Sequence, residues 1–198
     1  MIRFLASLLL LIALVLSSCR TPTARDNSGL LILISIDGFR WDYLQRYAAP
    51  TLRQLATRGV QAHHLIPAYP TKTFPNHYTL VTGLHPAHHG IIGNGFYDPA
   101  TGETFAMRKR ESNTDPRWWG GEPVWITAEK QGVLSGCYFW PGSEAPHDGV
   151  RPSLWLPFND SVPSTERVDG VLRWLEKPPA ERPRATQAGE VLHRGLPR

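Results

Sequence analysis

Apolar and polar positions alternate in blocks along most of this chain, and the blocks change period from strand-like to helix-like. Leu30 to Ile36 is an apolar run interrupted only by Ser35. Such a run suits a strand covered on both faces, as in a parallel sheet. Asp37-Gly38 ends it. Leu44, Tyr47, Leu52 and Leu55 follow near helical spacing, with Pro50 suited to a first helical turn and Gly59 placed as a C-terminal cap. Val60 to Ile66 reads as a second strand. Strand, helix and strand in succession is the grammar of an α/β fold.

Pro75 to Leu84 reads as another helix, starting near Thr73. Phe105 to Arg108 is a weak strand. Pro123 to Gln131 is a helix ended by Gly132, and Val133 to Phe139 is a further buried strand. Pro141 to Pro163 is loop-rich. Ser164 to Glu176 carries Val168, Val171, Leu172 and Leu175 and reads as an amphipathic helix. Beyond Lys177 the pattern fades among Pro178, Pro179, Pro183 and Pro197. Residues 178–198 therefore read as an atypical, disordered or frameshifted tail, at a point where an α/β fold usually places its next strand.

The N-terminus has a different character. Arg3 precedes an apolar stretch from Phe4 to Leu16, too short for a comfortable membrane span, and Leu16-Ser17-Ser18-Cys19 closes it. This resembles the lipobox of bacterial lipoproteins. Residues 1–18 are then a signal peptide, Cys19 is the lipidated residue, and the polar residues 19–29 are a tether. The expected location is outside the cytoplasm, membrane-anchored and facing the periplasm or the exterior. An ordinary cleaved signal with a chance cysteine is the alternative.

Composition changes the picture in two respects. Hydrophobic residues make up 41% of 198, enough for a packed core. The formal charge of +4 sits at the ends, because residues 30–176 hold 13 Lys/Arg against 14 Asp/Glu. That balance argues against a nucleic-acid-binding body. Cys137 is the only cysteine besides Cys19 and lies in an apolar run, so it reads as a buried, inert thiol.

Candidate chemistry gathers after strands, where open parallel sheets present functional groups. Asp37 ends the first strand, as a metal ligand or as a loop carboxylate. Thr73, in Thr71-Lys72-Thr73-Phe74-Pro75-Asn76-His77, opens a helix. Unpaired N–H groups there favour an alkoxide and bind phosphate oxygens, although a plain helix cap has the same pattern. Asn94, within Gly90-Ile91-Ile92-Gly93-Asn94-Gly95, is either an amide donor to a phosphoryl oxygen or a turn residue.

Taken together, Ile34-Ser35-Ile36-Asp37-Gly38-Phe39-Arg40, the segment Pro70 to His77, and Val81-Thr82-Gly83-Leu84-His85-Pro86 through Asn94-Gly95 resemble the nucleotide pyrophosphatase/phosphodiesterase family of the alkaline phosphatase superfamily. Glu122-Pro123-Val124-Trp125 and Phe139-Trp140-Pro141-Gly142 extend the likeness, which runs from Leu30 to Lys177. Residues 30–177 then resemble the N-terminal part of a phosphodiesterase catalytic domain.

The resemblance implies an alkaline-phosphatase-like α/β fold, with a mostly parallel central sheet flanked by helices and incomplete in this chain. It implies a metal-dependent hydrolase of phosphodiester or pyrophosphate bonds in nucleotides, acting through a covalent threonine intermediate. Thr73 is the implied nucleophile. Asp37 and Thr73 are implied ligands of a two-zinc centre. Asn94 and the Thr73 or Phe74 N–H hold a phosphate oxygen. Phe74 flanks the nucleobase, and Phe158 or Trp155 is the candidate for the opposite wall. Nucleoside triphosphates, dinucleotides, nucleotide sugars and phospholipid head groups all remain open as substrates.

One departure stands out. A two-zinc site needs about six or seven ligands, and the remaining Asp and His of the family pattern are not found near Arg184 to His193. His63 and His64, read as strand neighbours, point to opposite faces. His85, His88 and His89 have a turn-like spacing that could bind metal but read rather as helix-end caps on the surface, and His77 reads as a support to the site through hydrogen bonds. The alternatives are a related phosphomonoesterase and a catalytically inactive, truncated lipoprotein.

Overall fold

The computed structural model describes residues 29–191, and for 190 and 191 the backbone only. The signal peptide, Cys19, most of the tether and His193 lie outside the described residues.

Four parallel strands form the central sheet, and helices pack on it. Strand β1 (Leu31–Asp37) pairs with β6 (Ala185–Val191) from Leu31↔Ala185 to Asp37↔Val191. Strand β4 (Ser135–Tyr138) pairs with the other edge of β6 and with β5 (Leu154–Leu156). This is the mostly parallel α/β sheet that the patterning predicts.

Side chains alternate across β1. Leu33 faces the core cluster, and Ser35 and Asp37 share its face. Ile34 and Ile36 turn the other way, into an open apolar groove against α1 (Tyr43–Arg46) and α2 (Pro50–Arg58). The helical run expected over this region is thus two helices, broken ahead of Pro50.

Helix α3 (Thr73–Thr82) follows, then the short α4 (Pro86–His89). Gly83 ends α3 at φ 69°, a left-handed cap that glycine adopts without strain. The hairpin of β2 (Gly95–Asp98) and β3 (Glu103–Ala106) stands apart from the main sheet, followed by α5 (Arg110–Thr114). Helix α6 (Val124–Lys130) packs on β4 and β6, and α7 (Ser164–Leu175) packs on β4. The core of Tyr78, Ile91, Phe105, Trp119, Trp125, Ile126, Cys137 and Trp140 joins α3, the hairpin, α6 and β4. Cys137 is fully buried and free, as expected, and burial pushes its thiol pKa well up.

Several expectations are corrected. Val60 to Ile66 is not a strand but an exposed irregular segment. No described strand lies on the outer edge of β1, and a strand exists only through a ladder partner. His63 and His64 consequently do not alternate across a sheet. Strands β2 and β5 were not anticipated. Most importantly, the segment read as an atypical tail supplies β6, the strand between β1 and β4. Its polar sequence hid it: Thr186 and Gln187 are fully buried, and Thr186 Oγ1 and Gln187 Nε2 have no hydrogen-bond partner among the described residues. An interior parallel strand is ordinarily apolar throughout.

No helix among the described residues is long and apolar enough to cross a membrane.

Candidate active site

The carboxyl end of β1 and the N-terminus of α3 meet at one point. Asp37 is the last residue of β1, and Thr73 is the first of α3. Thr73 Oγ1 donates to Asp37 Oδ2 at 3.1 Å. Lys72, extended at φ −126° and ψ 159°, occupies the cap position and makes no side-chain cap bond. Thr73 is therefore not spent as a cap. Its hydroxyl sits in the first turn, where free N–H groups and the helix dipole favour negative charge.

Asn94 arrives on the loop between α4 and β2. The main-chain N–H of Met107, just after β3, bonds its carbonyl at 2.9 Å. Its side-chain Oδ1 accepts the Phe74 N–H, also at 2.9 Å. The Phe74 N–H, expected to reach a phosphate oxygen, is thus used within the protein. The amide NH2 of Asn94 is left without a partner among the described residues, as a donor beside Thr73.

A cavity of about 320 Å³ opens beside Thr73 and Phe74. Thr73 and Phe74 form one side, and Phe139 and Trp140 line it just beyond β4. Phe158, beyond β5, lines it too and meets Phe139 edge-on at 5.4 Å. Phe74 is braced by Phe105 and Trp119, at 6.1 and 6.0 Å between ring centres. Trp155 is elsewhere: it packs against the core, with the Arg151 guanidinium 4.9 Å from its ring centre. Of the two proposed stacking walls, the cavity holds Phe158.

The sequence reading missed the polar lining. Arg108 and Arg110 follow β3, and Glu144 follows the Trp140 turn. Glu144 is buried; Oε1 accepts the Phe158 N–H at 3.0 Å, and Oε2 lies 3.4 Å from Arg110 Nη1. The basic run Arg108-Lys109-Arg110 was the available signal, in a body otherwise near neutral. Glu144 had none, because a lone glutamate in a loop reads as solvated.

Behind α3 lies a second layer of histidines. His89, expected at the surface, is fully buried. Its Nδ1 accepts the Ile91 N–H at 3.2 Å, so its Nε2–H donates to Thr79 Oγ1 at 3.0 Å. His147 lies 3.3 Å from the Tyr78 hydroxyl. Burial holds both histidines below their ordinary pKa and pushes the Tyr78 hydroxyl up.

Asp37 Oδ2 and Thr73 Oγ1 are two oxygen donors pointing at one place. Among the described residues no group of three or more His, Cys, Asp or Glu side chains converges. The two donors do not make up the six or seven of a two-ion centre.

The sequence model for type I phosphodiesterases/nucleotide pyrophosphatases matches residues 31–188. Ectonucleotide pyrophosphatase/phosphodiesterase family member 3 of Bos taurus is 49% identical over 171 residues, which is 84% of this chain and 20% of that protein. A pyrophosphatase/phosphodiesterase of Schizosaccharomyces pombe is 48% identical over 77% of this chain and 32% of its own length. Among solved structures, murine ectonucleotide pyrophosphatase/phosphodiesterase 5 superposes with a TM-score of 0.76 at 32% identity, covering 82% of this chain and 43% of its own. An inactive threonine-to-alanine form of that murine protein, in complex with AMP, superposes equally well. The chain thus spans less than half the length of these relatives.

Proposed function

Since the chain belongs to the type I phosphodiesterase/nucleotide pyrophosphatase family, we propose that its site is built for hydrolysis of phosphodiester or pyrophosphate bonds in nucleotides, with Thr73 as the nucleophile. The observation that carries this reading is the 3.1 Å bond from Thr73 Oγ1 to Asp37 Oδ2, at a helix N-terminus beside an aromatic-walled cavity.

In this reading Thr73 Oγ1 attacks phosphorus in line with the leaving oxygen, and its proton passes to Asp37. A Thr73 Oγ–P bond forms as the bond to the leaving group breaks. The NH2 of Asn94 donates to an equatorial oxygen as charge builds there. Water then cleaves the threonyl ester, releasing a nucleoside monophosphate and restoring the hydroxyl. A flat nucleobase would stack between Phe74 and Phe158, which both line the cavity. The AMP complex of the murine relative supports a nucleotide ligand. Zinc belongs to this proposal through the family likeness alone, with Asp37 and Thr73 as the donors that the described residues offer.

The test is turnover of nitrophenyl thymidine monophosphate against nitrophenyl phosphate, with zinc supplied. The diester should be preferred, and Thr73→Ala should lower its turnover by at least about a thousandfold. Preference for the monoester would replace the diesterase reading with a phosphomonoesterase. One observation favours an inactive chain instead: only two donors converge among the described residues. A folded chain with no turnover of either substrate would decide for it.

The proposal extends to location: export through residues 1–18 and lipidation at Cys19. A radiolabelled fatty acid should be incorporated by the native chain and not by Cys19→Ser.

A further inference from the structure

We propose that His77, held by Ser35, is a positioning residue that keeps the main chain of Thr73 opposite Asp37. The inference rests on the reading of Thr73 as the nucleophile.

His77 lies one helical turn after Thr73 and is 5% exposed. Its Nδ1 is 2.8 Å from the carbonyl oxygen of Thr73. A carbonyl only accepts, so Nδ1 carries the hydrogen. The neutral ring then has its lone pair on Nε2, and the Ser35 hydroxyl, 2.8 Å away, donates to it. Ser35 precedes Asp37 by two positions on β1, so both side chains leave the same face of the strand. The ring is fixed from a third direction. Trp140 Nε1 donates to the His77 carbonyl at 3.1 Å, and the two rings meet edge-on at 5.5 Å.

Two tethers therefore join β1 to the first turn of α3. The first, Thr73 Oγ1–H to Asp37, uses the proton that the reaction removes. Once that proton moves, the bond that aligned nucleophile and carboxylate no longer exists in that form. The second, from Ser35 through the imidazole to the Thr73 carbonyl, involves no reacting atom and persists through the step. A displacement of about 1 Å at a nucleophile can cost about a hundredfold in rate. The second tether is what prevents such a displacement when the first is lost.

The test compares His77→Ala, His77→Asn and Ser35→Ala in the full chain. The Asn side-chain NH2 falls near the place of Nδ1–H, so it can restore the bond to Thr73 O while losing the link to Ser35. We expect kcat for the diester to fall about a hundredfold in His77→Ala, with KM within twofold. Because His77→Asn and Ser35→Ala both keep the bond to Thr73 O and both lose the link to β1, each should lose most of what His77→Ala loses. An unchanged kcat per folded molecule, a loss confined to KM, or native kcat in Ser35→Ala or His77→Asn would overturn the proposal.

A second readout needs no turnover, which separates failure here from failure of the hydrolase reading. Long-range 1H–15N spectra should show the Nδ1–H form of His77. The Thr73 methyl resonance should move in His77→Ala and in Ser35→Ala, and stay displaced in His77→Asn. An Nε2–H form, or a methyl resonance that does not respond, would count against the tether even if the native chain hydrolyses nothing.

Discussion

The Phe74 N–H donates to Asn94 Oδ1 at 2.9 Å, and this one bond orients the amide beside Thr73. With its oxygen engaged, the Asn94 amide has its NH2 left for the phosphoryl oxygen of the proposed reaction.

Asn94→Ala should therefore lower kcat for a phosphodiester by about a hundred- to a thousandfold, the scale of losing one oxyanion donor. Asn94→Asp keeps an acceptor for the Phe74 N–H but places a carboxylate where the donor stood. It should be no better than alanine. Steady-state kinetics on the two variants checks both statements.

Acid should destabilise the fold through His89 and His147. Burial lowers both pKa values from 6.5 in the folded state. The unfolded chain takes up these protons first, so stability is full above about pH 7 and falls as pH drops through 6.5. Each histidine contributes a slope of up to about 1.4 kcal/mol per pH unit. Urea unfolding at pH 7.5, 6 and 5 should show the trend, and a double change to Gln should flatten it.

Gly170→Ala should destabilise, although alanine is the better helix former by about 1 kcal/mol. A Cβ at Gly170 would come within 2.4 Å of the Tyr138 ring. That ring is wedged against Phe139 and Trp174, at 4.7 and 5.3 Å between centres, and has little room to move. Overpacking of this kind costs about 1–3 kcal/mol. A net loss of about 1 kcal/mol is expected in denaturant titration.

Thr186→Val should stabilise by about 1 kcal/mol, because it removes a buried hydroxyl that has no partner among the described residues while keeping its shape. A lower unfolding midpoint would mean that Thr186 Oγ1 is satisfied by a group such as a bound water.

Much of the site was legible in local patterns. An apolar run ending in Asp37, a helix opening at Thr73, and a glycine-flanked Asn94 each follow from short-range rules of strand, helix and turn. The part that was not legible depends on contacts distant in sequence. Val60 to Ile66 has strand composition but no neighbouring strand to bond. Residues 185–191 have a poor strand composition, yet they lie between β1 and β4 and bond both. Phe158 and Trp155 are close in sequence and chemically alike, but only Phe158 follows β5 into the cavity.

The sequence by itself determined where the elements begin and end around the reactive groups, because periodicity, capping and turn chemistry act over a few residues. Tertiary structure alone decided that a carboxylate and a hydroxyl 36 positions apart stand 3.1 Å from one another, and that His77 joins Ser35 to Thr73. Those distances are set by which strands pair and in what register, and that pairing is fixed by contacts across the whole sheet.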